Sequence, residues 1–157
     1  MANSSAEDLF GRHHRDVYRF LVRMTGRRDV ADDLVQDVFL NVVRALRNGG
    51  PVGHERGWIF SIARNLLADR HRRSQREIVT ADEPPEQSTP ATQALTVRLA
   101  ESLDRLAEAD REAFLLREIG GLSYQEIADM CGCTMDSVRC RLHRTRGALR
   151  AMLIDGR

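Results

Sequence analysis

The chain has 157 residues, 42% apolar and 30% charged, so it is globular rather than wholly disordered and long enough for one medium domain or two small ones. No apolar run approaches the ~18 residues a bilayer span needs, and residues 1–6 lack an apolar signal-peptide core, which excludes a membrane protein and does not fit secretion. Three cysteines, an odd number, argue against a disulfide framework and fit a reducing cytosol.

A net charge of +1 hides a segregation. All 24 basic residues are arginine. Residues 1–76 hold 14 Arg against 9 Asp/Glu, residues 77–110 hold 2 against 8, and residues 111–157 hold 8 against 6. An acidic middle between two basic ends predicts two modules and a connector.

The first helix shows Leu9, Phe10, Val17, Phe20, Leu21 and Met24 near one face, and Gly26 interrupts it. A second helix is predicted from about Asp29, with Asp29, Asp32 and Asp33 near its positive N-terminus. Its apolar stripe is Ala31, Leu34, Val35, Val38, Phe39, Val42 and Leu46, and Asn48-Gly49-Gly50-Pro51 stops it. The third helix, Glu55 to Arg76, is expected to bury Trp58, Ile59, Ile62, Ala63, Leu66 and Leu67. From Arg56 to Arg76 it carries 6 Arg against 1 Asp, an affinity for phosphates. Asn65, Asp69, Arg72 and Arg73 share its polar side. Trp58 and Phe60 could stack on unpaired bases; core packing is the preferred reading of Trp58, and Phe60 stays open between the two.

Residues 77–94 are acidic, Pro-rich and poor in large apolar groups, so they read as a flexible linker that cannot offset its own ordering entropy. Beyond it, Leu95, Leu99, Leu103 and Leu106 mark a helix. Asp110 to Ile119 marks another, with Ala113, Phe114, Leu116 and Ile119 inward and Gly120-Gly121 closing it. Ser123-Tyr124-Gln125-Glu126 has the spacing of a capping box, and its short helix ends near Gly132. Thr134 caps the last helix, which turns Val138, Leu142, Ala148 and Leu149 inward. No strand-like alternation competes. The fold class is all-α, two small helical bundles joined by a flexible linker.

Ser123 to Arg146 reads as a helix-turn-helix, with small Ala128 at the crossing and Gly132 in the turn. Its second helix exposes Asp136, Arg139, Cys140, Arg141, His143, Arg144 and Arg146. Arg139, His143 and Arg146 share a face, with Arg144 beside them. That suits a recognition helix in a major groove, where arginine forks bind guanine or clamp phosphate. The bland alternative is a solvated basic face.

With these residues in view, the chain resembles a bacterial extracytoplasmic-function (ECF) sigma factor of the sigma-70 family. Asp32-Asp33-Leu34-Val35-Gln36-Asp37-Val38-Phe39-Leu40 is similar to the family's region 2.2. Arg56-Gly57-Trp58-Ile59-Phe60-Ser61-Ile62-Ala63-Arg64-Asn65-Leu66-Leu67-Ala68-Asp69-Arg70 is similar to regions 2.3–2.4. Gly121 to Ala128, continuing through Ser137 to Arg144, is similar to region 4.2, with Cys140 where a serine is more common. A thiol there is a poorer hydrogen-bond donor.

The resemblance implies an alternative sigma factor, a detachable specificity subunit rather than an enzyme. Residues 1–76 would be region 2 and residues 95–157 region 4. Asp33, Gln36 and Asp37 would dock on the coiled coil of the polymerase β′ clamp, with region 4 at the β flap. Arg64, Asn65, Asp69, Arg72 and Arg73 would contact the −10 element of promoter DNA, and the loop from Arg47 to His54 would capture a flipped base. Arg139, Cys140, His143 and Arg144 would contact the −35 element. The acidic linker would mimic nucleic acid near the polymerase active-site and RNA-exit path. An anti-sigma factor would restrain the protein, which is implied to be cytoplasmic, without membrane insertion and monomeric when free.

No catalytic residue, cofactor or metal is expected. Cys131, Cys133 and Cys140 with His143 could make a zinc set or a thiol switch, but small apolar packing is the plainer role for the first two. Two rivals stay open. A dimeric helix-turn-helix repressor would have no need of the Asp33/Gln36/Asp37 stripe. A module that only sequesters an anti-sigma factor would not initiate transcription.

Overall fold

Helices form where the apolar spacing predicts them, and capping and turn residues set most of their ends. The computed structural model describes residues 4–50, 54–74 and 90–155; these contain seven α-helices and no strand. Two compact units divide the chain, Met1–Asp82 and Glu83–Arg157.

The first unit holds α1 (Ala6–Thr25), α2 (Arg28–Arg47) and α3 (Glu55–Ser74). Ser5 and Asp8 form a reciprocal capping box at the start of α1, each side chain accepting from the other's backbone N–H at 3.2 Å. At its end the N–H of Gly26 reaches the Val22 carbonyl at 2.8 Å. Helix α2 has no side-chain cap, and seven buried apolar residues from Val30 to Val42 hold it instead. All three helices pack on one another. Phe20 and Phe60 meet edge to face at 5.6 Å in the centre, both fully buried. Ser4 and Arg12 reach Glu55, at 2.7 and 3.2 Å, and pin the start of α1 to the start of α3.

Three expectations change here. Phe10 is 46% exposed, stacked on His14 and edge-on to Phe39, because it lies at the rim of the buried face. Phe60, left open between packing and stacking, is 0% exposed and sits in the core, whereas Trp58, expected in the core, is only half-buried. Ile62, Leu66 and Leu67 of α3, like Leu46 of α2, are also only half-buried.

The second unit holds α4 (Pro90–Asp104), α5 (Glu108–Glu118), α6 (Tyr124–Cys131) and α7 (Met135–Arg150), then a terminal π-helical turn, Ala151–Asp155. Residues 90–94, expected in the linker, are helical: proline fits a first helical turn, where its missing N–H needs no partner. Residues 51–53 of the expected base-capturing loop, 75–76 of the expected third helix and 77–89 of the expected linker lie outside the described residues. Leu103, Ala113, Leu115, Leu116, Leu122, Ile127, Ala128, Val138, Leu142 and Leu149 form the core. Leu115 replaces Phe114 as a fully inward residue of α5, Ile119 and Ala148 are half-buried, and Leu95 is exposed.

Two glycines are required by geometry. A Cβ on Gly120 would lie 2.4 Å from the Leu116 carbonyl oxygen, so only glycine lets α5 close that tightly. Gly132 sits at φ 66°, in the left-handed region that makes the α6–α7 turn short.

Candidate nucleic-acid interface

Helix α2 turns its buried stripe toward α1 and α3, and its opposite side presents Asp33, Gln36 and Asp37, all exposed. Their three- and four-residue spacing makes one ridge. Leu40, 53% exposed, continues it, three residues beyond Asp37 and four beyond Gln36. Its signal in the sequence is a large apolar residue off the core stripe, at the end of the segment similar to region 2.2.

On α3, Asn65, Asp69, Arg72 and Arg73 are exposed, and Arg64 is half-buried. Arg72 and Asp69 form an ion pair within the helix, one turn apart. Both are solvated, so this pair adds little to stability. Nearer the start of α3, Arg56 is salt-bridged to Asp16 of α1 and lies 3.3 Å from Nδ1 of His13. His13 is buried, and its Nε2 has no hydrogen-bond partner. Burial, then the charges of Arg56 and Arg12, lower its pKa against the opposing pull of Glu55 and Asp16.

The helix-turn-helix is built as the spacing predicts. Ser123 Oγ accepts from the Glu126 N–H at 3.1 Å, and the Glu126 carboxylate accepts from the Ser123 N–H at 3.1 Å. Thr134 Oγ1 accepts from the Ser137 N–H at 3.1 Å and opens α7. Arg117 donates to the Leu122 carbonyl at 2.8 Å and lies over the Tyr124 ring at 5.1 Å, tying α5 to the start of α6.

Arg139, Cys140, His143, Arg144 and Arg146 are all exposed on α7, but their partners differ. Arg139 pairs with Asp136 of its own helix at 2.8 Å. Arg146 reaches Glu118 of α5 at 3.3 Å. Arg144 makes a fork with Asp110 of α5, Nε to Oδ2 at 3.0 Å and Nη2 to Oδ1 at 2.7 Å, which raises its pKa further. The sequence offered no hint of this pair, because an aspartate in a first helical turn reads as a dipole partner.

The thiols do not converge. Cys131 Sγ donates to Glu112 at 3.3 Å, Cys133 takes a contact from Arg141 at 3.8 Å, and Cys140 faces solvent. Among the described residues no group of three His, Cys, Asp or Glu side chains could hold a metal ion. No helix among them is long and apolar enough to cross a membrane.

A family model described as Sigma-70 region 2 matches residues 9–77, and one described as Sigma-70, region 4 matches residues 96–149. The chain is 32% identical over 143 residues to the ECF RNA polymerase sigma factor EcfG of Rhodopseudomonas palustris, covering 87% of this chain and 79% of that protein. It is 34% identical over 161 residues to the RNA polymerase sigma factor CarQ of Myxococcus xanthus, covering 97% and 91%. Among solved structures, the sigma factor RpoE of Bartonella quintana, crystallised with the anti-sigma factor NepR, shares the fold with a TM-score of 0.78 at 24% identity over 94% of this chain and 95% of that one. CnrH, solved with the cytosolic domain of CnrY, matches with a TM-score of 0.73 at 27% identity, covering 94% and 86%.

Proposed function

The chain belongs to the ECF RNA polymerase sigma factors of the sigma-70 family, and from that membership we propose how its surfaces divide the work of promoter recognition. As an alternative sigma factor it binds core RNA polymerase, directs it to promoters with −35 and −10 elements and starts transcription there. The polymerase does the chemistry; this chain supplies the address, in the cytoplasm where DNA and polymerase meet.

The Asp33–Gln36–Asp37 ridge, with Leu40 at its end, docks on the basic coiled coil of the β′ clamp, and region 4 reaches the β flap. Two carboxylates and an amide give charge and hydrogen-bond complementarity, and the leucine adds apolar area at the rim. Arg64, Asn65, Asp69, Arg72 and Arg73 of α3 face the −10 element. The half-buried indole of Trp58 supplies the aromatic face for an unpaired base, a role closed to fully buried Phe60. Arg139, Cys140, His143 and Arg144 of α7 face the −35 element. Residues 77–89 join the two units and carry the acidity that mimics nucleic acid, and an anti-sigma factor holds the protein, monomeric when free, inactive until it is released.

The observation that carries this reading is the order of the two family matches, region 2 then region 4, each falling on one of the two compact units. Purified chain and core RNA polymerase in run-off transcription test it. Defined start sites on genomic template are expected; none, with inhibitor absent, refutes it. Reversing Asp33 and Asp37 to Arg with Gln36→Ala is expected to weaken core association by more than about tenfold, since like-charge contacts in such interfaces cost several kcal/mol. Because these side chains are exposed, helical circular dichroism should not change.

A further inference from the structure

Asp110 stands apart from the other carboxylates of the second unit. Its side chain is 11% exposed, and its two oxygens accept from Nε and Nη2 of Arg144, whose own side chain is 64% exposed. It occupies the third position of α5, where an acidic group could serve as a cap. Yet the N-cap of that helix, Ala107, makes no side-chain bond, and the Asp110 carboxylate is turned toward α7. A carboxylate this buried needs a partner, and the guanidinium is the one it has.

The fork uses one edge of the guanidinium. Five N–H donors in a plane leave Nη1 and the second proton of Nη2 unused by the fork, on a side chain that is itself 64% exposed. Arg144 is the tenth residue of the sixteen-residue α7. The early residues of a recognition helix meet base edges, so a later one braced against α5 falls beside the DNA backbone. Arg139, by contrast, pairs with Asp136 on its own helix, both well solvated.

We propose that Asp110 is a positioning residue for promoter binding, holding Arg144 so that its outer edge clamps one phosphate of the −35 duplex. The proposal rests on α7 being the −35 helix. It has a signature that simple electrostatics does not share. Removing a carboxylate near DNA raises the net charge by one and, by Coulomb's law alone, tightens binding to any duplex. Loss of a positioning group weakens binding instead, and because a phosphate contact reads no sequence it weakens cognate and scrambled duplexes alike.

The test uses the full chain bound to core RNA polymerase. A cognate duplex is first selected from a randomised pool with the wild-type complex, and a scrambled duplex serves as reference. If the wild type enriches no duplex, the sigma-factor reading fails and this proposal with it. If it does, Asp110→Asn should weaken binding to the cognate duplex about tenfold, the scale of one charge-assisted hydrogen bond, and to the scrambled duplex by a similar factor, where simple electrostatics would tighten both. Arg144→Ala should reduce the salt slope by about 1, the value for one phosphate contact, and in that background Asp110→Asn should have no further effect. Arg144→Lys keeps the charge and gives the carboxylate a partner, so it decides the matter if Asp110→Asn unfolds the unit. It too should lose cognate affinity, because an ammonium cannot form a planar fork on two groups at once. Cognate binding by a folded Asp110→Asn that equals or exceeds wild type overturns the proposal, as does wild-type affinity in Arg144→Lys.

Discussion

The two units hold α3 and α7, the helices proposed to meet DNA, in different ways. Helix α3 is fixed from beneath, where Ile59, Phe60 and Ala63 are fully buried, and at its first turn, where Glu55 and Arg56 are tied to α1, while the exposed Asp69–Arg72 pair farther along stays within the helix. Helix α7 is fixed from beneath and from the side, because Arg144 and Arg146 both reach carboxylates of α5. The helices around them differ in the same sense. The first unit uses three helices of 20 residues, α1 among them closed by its own capping box and left-handed Gly26, whereas α6 has only 8 residues between its capping box and left-handed glycine. Isolated helices that short are marginal in water, so end chemistry matters more in the second unit. Under the proposed roles, a face that meets melting DNA tolerates a loose polar surface, and one that reads a rigid duplex gains from bracing.

The largest expected effect breaks the apolar side of that contrast. Phe60→Ala removes a fully buried ring from its edge-on contact with Phe20 and should destabilise the first unit by about 3–5 kcal/mol. Trp58 is the sole tryptophan, so its fluorescence follows this unit directly during denaturation. Trp58→Ala, followed by circular dichroism because the fluorophore is gone, should cost less, since that ring is only half-buried. Its larger effect should fall on open-complex formation. Equal stability losses from the two substitutions would erase the distinction drawn between them.

A smaller change tests the end chemistry. Ser123→Ala deletes one half of the α6 capping box and should cost about 1 kcal/mol. Amide exchange should accelerate through α6 more than through α5. Since α2 has no side-chain cap, Arg27→Ala should leave exchange in the middle of α2 unchanged. Comparable protection of α6 in Ser123→Ala and wild type would show that packing alone holds the short helix.

Helical spacing made much of this architecture legible. Leu9, Val17, Phe20, Leu21 and Met24 recur at one-face intervals and are buried, and the Ser123, Thr134 and Gly132 signals mark the helix-turn-helix where it forms. Spacing failed on α3 for a physical reason. Trp58, Ile59, Phe60, Ile62 and Ala63 are apolar almost all round the helix, so period alone selects no face, and Phe20 across the bundle decides which ring is covered. Leu40 carries no role in the sequence alone, because an apolar residue off the core stripe has no local meaning until the core is seen. The Asp110–Arg144 fork joins residues 34 apart, and no propensity or motif connects them. Thr145 was missed in the same way: a threonine on an arginine-rich helix reads as surface, yet it is fully buried.

The finest test concerns pH and the seam where the contrast is least clean, because α1 and α3 share a polar contact inside an otherwise apolar unit. His13 is buried against Arg56 and Arg12, with Glu55 and Asp16 pulling the other way, and the balance lowers its pKa. The neutral imidazole is therefore the form the fold accepts. In the unfolded chain His13 titrates near the reference value of about 6.5, so below that pH the unfolded state binds more protons than the native one. The stability this histidine contributes is fully present above about pH 6.5 and declines as pH falls through its lower native pKa. Denaturation of the first unit, read by Trp58 between about pH 7.5 and 5, should show that decline in the wild type and a shallower one in His13→Gln. If the two slopes coincide, the charges around Arg56 compensate protonation fully, and the seam belongs with the braced surfaces of the second unit rather than with the apolar core beside it.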